Sequence, residues 1–285
     1  MRRIVATLAA TIVLGGSVFA HPGSGIAVDP RGEVYFVDTG SGLWKIDTKG
    51  ALVQIPAPRF HWMALDPDNR LGSTRLPTDS GGEITRVGTK PAVLLSSDAP
   101  LAVGSDGALY YPTRASAGAL DVVRLPASGR RAVLASIRAP YLSELAAAPD
   151  GSLYFSESAA VRRIDAQGRV TTLAANVALT GCASIPGTDG EGPMLRGLAV
   201  TTDGTVYAAA TGCGRVLKIA PGGKITTVLQ LEAPWSPTSV ALSGKDLYVL
   251  EYLHTPGDDR RQWVPRVRKI APDGKSALVA TVKRD

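Results

Sequence analysis

An all-β fold, specifically a six-bladed β-propeller of four-stranded antiparallel blades, is predicted by three features of the sequence. Short apolar runs of four to six residues alternate with tight Gly, Asp and Pro turns. The pattern recurs along almost the whole chain with a period near 40, the arithmetic of a propeller blade. In every copy the first run is built on small residues, Ala27, Ala64, Ala102, Ala146, Ala199 and Ala241, as the crowded strand nearest an axis requires. A four-stranded sheet has two apolar faces and cannot bury both alone. Packed radially, each blade covers its neighbours and the ring has no long exposed edge.

The first copy sets the unit. GIAV from Gly25 is followed by Asp29-Pro30-Arg31-Gly32, then EVYFVD, Thr39-Gly40-Ser41-Gly42, LWKID, Thr48-Lys49-Gly50 and ALVQI. The second run recurs as a degenerate RLGSTR, then ALYYPT, SLYFSE, TVYAAA and DLYVLE. The third recurs as LWKI, ITRV, VVRL, VRRI, VLKI and VRKI, each closing on a basic residue and an aliphatic one. Those aliphatics run from Ile46 through Val87, Leu125, Ile164 and Ile219 to Ile270, in steps of 41, 38, 39, 55 and 51. The two long steps mark insertions. The fourth run is ALVQI, AVLLS, AVLAS, VTTLA, ITTVL and ALVAT. The recurring Lys or Arg reads as a solvated edge charge that discourages association between sheets.

Residues 1–20 read as a secretory signal peptide: Met1-Arg2-Arg3, an apolar run from Ile4 to Leu14, then small residues ending at Ala20. That run is too short to span a bilayer, and no other apolar stretch is long enough to do so. Residues 21–285 are then one propeller domain, with blades at roughly 22–56, 60–97, 99–136, 141–175, 194–231 and 236–283. Blade one begins with its own inner strand, so the ring is expected to close by packing between blades one and six. The net charge is +6, or +4 without Arg2 and Arg3, and it is spread along the chain. No basic block with interleaved aromatics points to nucleic acid. The expectation is a secreted or periplasmic monomer with no membrane span in its mature form. Its two cysteines, Cys182 and Cys213, are more suited to a disulfide than to a metal site in that compartment. They fall in the loop before blade five and in that blade's link from second to third strand, so a bridge would pin the loop.

VDPRGEVYFVDTGSGLWKID and LAVTTDGTVYAAATGCGRVLKI resemble NHL-repeat propellers, and the Gly/Asp-rich stretch 185–193 is similar to linkers in such proteins. The wider group includes gluconolactonase/regucalcin-like enzymes, strictosidine-synthase-like proteins and virginiamycin B lyase. The resemblance covers residues 22–283 and is carried by structural motifs, which speak to fold more than to reaction.

In an up-and-down blade, the link into the first strand and the link from second to third strand open on one face. That face gathers His61, Trp62, Glu144, Arg196, Asp38, Glu157 and Glu251. Asp38, Glu157 and Glu251 form a candidate set for Ca²⁺ or another divalent cation, which binds through oxygen. With such a cation, Glu144 or His61 would be the candidate catalytic group in hydrolysis of a lactone or ester. The gluconolactonase branch implies a glutamate at the start of the first blade, where this chain has Ser24-Gly25, and asparagines that are scarce here. The lyase branch implies paired histidines and glutamates on late blades, where only His254 stands near Glu251. The leading expectation is therefore a binding scaffold for a small-molecule or protein ligand at the channel mouth, through His61, Trp62, Glu144, Arg196 and Trp263. The loop 253–265, with Asp258-Asp259-Arg260-Arg261 at its tip, is expected on the same face.

Overall fold

A computed structural model describes residues 23–77, 83–116, 118–182, 192–253 and 262–284. It is a six-bladed β-propeller. Blade one is β1 (Ile26–Val28), β2 (Val34–Asp38), β3 (Gly42–Ile46) and β4 (Leu52–Ile55). Blade two is β5 (Trp62–Asp66), β6 (Ile84–Val87) and β7 (Ala92–Ser96). Blade three is β8 (Ala102–Val103), β9 (Leu109–Ser116), β10 (Ala119–Leu125) and β11 (Ala132–Ile137). Blade four is β12 (Glu144–Ala147), β13 (Leu153–Glu157), β14 (Ala160–Ile164) and β15 (Val170–Ala174). Blade five is β16 (Leu195–Val200), β17 (Val206–Ala210), β18 (Arg215–Ile219) and β19 (Ile225–Gln230). Blade six is β20 (Trp235–Ser243), β21 (Asp246–Leu253), β22 (Val264–Ile270) and β23 (Ser276–Thr281). A 3-10 turn, Thr211–Cys213, lies between β17 and β18.

Five blades are antiparallel meanders in simple order. The inner strands β1, β5, β8, β12, β16 and β20 touch in that order, and β20 returns to β1. Among the described residues no sheet mixes strands of blades one and six, and the two blades meet there by side-chain packing. The seam is a cluster of Ile26, Phe36 and Ile46 with Leu250, Tyr252 and Trp263. Trp263 is 1% exposed there, so this predicted ligand contact belongs to the core instead. An indole this size is better stabilised filling the wedge between two blades than exposed at a loop.

Among the described residues, blade two departs from the four-stranded unit. Its order is β5-β7-β6, so the run AVLLS takes the place beside the inner strand and RLGSTR forms no strand. The reason is burial. All five residues of β7 are buried, whereas the fourth strands β4, β15 and β19 each carry exposed residues and tolerate an outer edge. The stretch around Gly72 folds as successive turns instead, with Asn69 N donating to Asp66 O, Gly72 N to Asn69 O and Thr74 N to Leu71 O. Leu71 plugs the core, and the Arg86 guanidinium donates to the carbonyls of Leu71, Gly72 and Thr74.

Arg86 is one of the recurring third-strand bases, and most of the others are engaged too. Lys45 meets Glu33 at 2.8 Å, Arg124 meets Asp106 at 2.5 Å, Arg163 meets Asp150 at 2.9 Å and Lys269 meets Asp246 at 2.7 Å. Each partner lies in or beside the turn between first and second strands. The bases are therefore ties across the blade, not simply solvated charges. Being partly exposed, each contributes at most about 1 kcal/mol.

Candidate functional site at the channel mouth

Six positions are equivalent in the repeat, each two residues before the inner-strand alanine: Gly25, Trp62, Pro100, Glu144, Gly197 and Ser239. Two are glycine because adjacent blades fill their space. A Cβ on Gly25 would lie 2.4 Å from Met63 Cγ, and one on Gly197 would lie 2.3 Å from Ser239 Cα. The place where a gluconolactonase-like chain carries its glutamate is thus closed by Met63. Trp62 reaches beyond its own blade: its indole N–H donates to Ser143 O, in blade four, at 3.1 Å. His61 is tied to Ser97 O through Nδ1 at 3.1 Å, and its ring meets Trp62 edge-on. Because a carbonyl only accepts, Nδ1 carries the proton.

Glu144 begins β12, is 8% exposed, and lines the central channel. Its carboxyl accepts one hydrogen bond, from the N–H of Leu145 at 3.0 Å. Burial pushes it up to about 8, only partly offset by that N–H, so it is mostly protonated at neutral pH. Ser156, its cross-strand neighbour, donates its hydroxyl to Arg196 O in blade five. Arg196 is equally buried, and burial brings its guanidinium down to about 10, with nearby Tyr141 acting in the opposite direction.

The three candidate cation ligands are not gathered. Asp38 is fully buried, pairs with Arg284 at 2.7 Å, and accepts from Gly40 N and the Ser41 hydroxyl. Glu251 is fully buried between Arg266 at 2.5 Å and Arg268 at 2.6 Å. Glu157 faces Arg162 at 3.4 Å. Each carboxylate is matched by its own arginine, and no group of three or more His, Cys, Asp or Glu converges among the described residues. A divalent cation does not fit this donor set, because every one of the three would have to leave a guanidinium to bind it. His254 and the loop tip Asp258–Arg261 lie outside the described residues, as do residues 1–20, read from the sequence as a signal peptide, and most of 185–193.

What the mouth does form is a cavity of about 380 Å³, with Trp62, Asp98, Tyr141, Met194 and Arg196 in its wall. Asp98, Tyr141 and Met194 lie in links between blades, outside the repeating unit. The cleanest sequence hint is Tyr141, an aromatic in a link, which is 55% exposed here. Cys182 and Cys213 form a disulfide with Cα atoms 4.0 Å apart. It ties the 3-10 turn to the loop before blade five. That turn in turn holds the cavity wall, with Thr211 N donating to Met194 O and Gly212 N to Pro193 O. Met194 sits at φ +41, in the left-handed region that a non-glycine residue rarely adopts.

Six blades, a disulfide beside the channel mouth and a buried acid in the channel place the chain among β-propellers. Residues 184–251 match the profile of the SMP-30/Gluconolactonase/LRE-like region. Virginiamycin B lyase from Staphylococcus aureus is similar in fold, at 15% identity over 90% of this chain and 83% of that one, TM-score 0.52. A protein from Lactobacillus plantarum aligns at 16% identity over 89% and 84%, TM-score 0.51. A puromycin hydrolase aligns at 14% identity over 93% of this chain and 55% of its own length, TM-score 0.53. At these identities the likeness is one of fold. No curated protein sequence matches the chain.

Proposed function

We propose that this is an exported binding scaffold that takes a small molecule with a flat apolar body at the channel mouth. The carrying observation is the cavity between Trp62, Tyr141 and Met194, a concave site of a size suited to a small ligand. Its wall is held by backbone bonds from the 3-10 turn and by the disulfide, and Met194 is kept in a costly backbone conformation there. Such strain persists where surrounding structure enforces it, and it clusters at ligand sites. The disulfide supports an oxidising compartment. No helix among the described residues is long and apolar enough to cross a membrane. The test is a fragment screen by melting temperature, followed by calorimetry on Tyr141→Ala, whose exposed side chain is not needed for folding. Hits that bind at least tenfold more weakly to the variant support the site; hits indifferent to it overturn it.

A second reading, a hydrolase of lactone-like or ester substrates, is favoured by the profile match over 184–251. In that reading Glu144 handles the proton. Turnover of a chromogenic ester or lactone that disappears in Glu144→Ala would support it. Activation by Ca²⁺, Mg²⁺ or Mn²⁺, with a heat of binding, would place the cation on residues other than the arginine-matched carboxylates.

A further inference from the structure

The mouth cavity adjoins a second one, the central channel, at Ser24. The channel holds about 280 Å³ and is walled by the inner strands. Alanines on those strands keep side chains short, and each strand turns a free edge of backbone carbonyls and N–H groups toward the axis. Among the described residues that line it, Glu144 is the one ionisable group, with the serines Ser24 and Ser239 beside the same opening.

We infer that the channel is a binding site for a small primary ammonium ion, held by Glu144 as its counter-charge in exchange for the carboxyl proton. The carboxyl is more than nine-tenths buried and has a single hydrogen bond, from Leu145, so most of its acceptor capacity is open to a ligand. Serine hydroxyls and strand carbonyls supply the further acceptors that three N–H donors need. An anion would meet a carboxyl and carbonyl oxygens, and a neutral guest would leave the desolvated acid as it stands. The exchange balances: Glu144–COOH and R–NH₃⁺ give the carboxylate–ammonium pair and one H⁺ released to water. Neighbouring charges do not compete. On β13, Glu157 is paired with Arg162; on β16, Arg196 lines the mouth cavity; β8 carries no ionisable residue. The raised affinity of Glu144 for its proton adds a pH signature, since the ammonium must displace it.

The experiment is calorimetry of methylammonium chloride into the full-length protein, in buffers of different ionisation enthalpy, at pH 6.5 and 9.5. Release of close to one proton per ligand at pH 6.5 and of almost none at pH 9.5 is expected, with affinity rising nearly tenfold per pH unit below about 8. Glu144→Gln should abolish both the binding and the proton release while remaining folded by circular dichroism. Tyr141→Ala should leave methylammonium binding intact, so the channel site stands or falls independently of the mouth reading. Equal binding of potassium ion, unchanged binding in Glu144→Gln, or binding of acetamide that is lost above pH 8 would each overturn the inference.

Discussion

The Arg284 guanidinium lies 2.7 Å from the buried carboxylate of Asp38, joining the last described stretch of the chain to the first blade. Tyr252 of blade six adds a second tie, its hydroxyl donating to Val37 O at 2.9 Å. Burial raises the Tyr252 hydroxyl well above its ordinary value, so it stays a donor at any working pH. Ring closure therefore depends on side chains from blade six and the C-terminal stretch reaching the second strand of blade one.

Arg284→Ala should lower unfolding free energy by about 2 kcal/mol, since it leaves a buried carboxylate with neutral donors only. Tyr252→Phe should cost about 1 kcal/mol by orphaning the Val37 carbonyl. Urea unfolding followed by tryptophan fluorescence measures both. The two changes act on one seam, so the double variant should depart from additivity.

Stability should fall as pH rises from about 5 to 8. Glu144 binds its proton more tightly folded than unfolded, so the folded state holds the extra proton in that window and loses the advantage as it titrates. The slope contributed is at most about 1.4 kcal/mol per pH unit. Glu144→Gln should remove that component and be the more stable protein at pH 8. A wild-type melting curve series with the same pH slope as the variant would refute this.

Gly197→Ala should destabilise by about 3 kcal/mol, because the new methyl meets the backbone of Ser239. Gly25→Glu, which would introduce a gluconolactonase-like glutamate at the first blade, should lose soluble yield without gaining affinity for Ca²⁺. Met63 already occupies the volume that side chain needs. Melting temperature and cation titration read the two effects separately.

Breaking Cys182–Cys213 with reductant or by Cys213→Ser should cost about 3–4 kcal/mol in the chain-entropy model for the closed loop of this length. Ligands of the mouth cavity should weaken in parallel, since the bridge anchors the turn that holds Met194. Intact-mass alkylation of protein from an oxidising compartment should find no free thiol.

The fold was readable because a propeller repeats its physics: each blade needs a small inner strand, a buried second strand and tight turns, and those recur in the sequence. Closure by packing was expected because blade one carries its own inner strand, and the pairing of Cys182 with Cys213 from an even cysteine count in an exported chain. The failure at blade two was also physical. By its place in the repeat AVLLS is a fourth strand, whereas its unbroken apolar run is that of an interior one. The site was far less legible. Nothing local announces that Asp38 will meet Arg284, or that Glu251 will be enclosed by Arg266 and Arg268; these pairings depend on the ring being closed or on the register of one hairpin. Trp263 looked like a loop aromatic and is a core wedge. Glu144 stood out only as an acid among the small and apolar residues that open the inner strands, and its burial could not be read until the channel existed.

Because, among the described residues, no sheet borrows a strand from the other end of the chain, each of their hydrogen-bonded ladders is completed within one blade's own stretch of sequence. Each blade can assemble as its segment emerges, whether from a ribosome or from an export pore, without waiting for a distant partner. The last event is then a docking of finished surfaces, with Tyr252 and Arg284 as the latch. A circular permutant that opens the chain between blades three and four and joins the old termini should keep all six sheets. Its far-ultraviolet circular dichroism should match that of the parent.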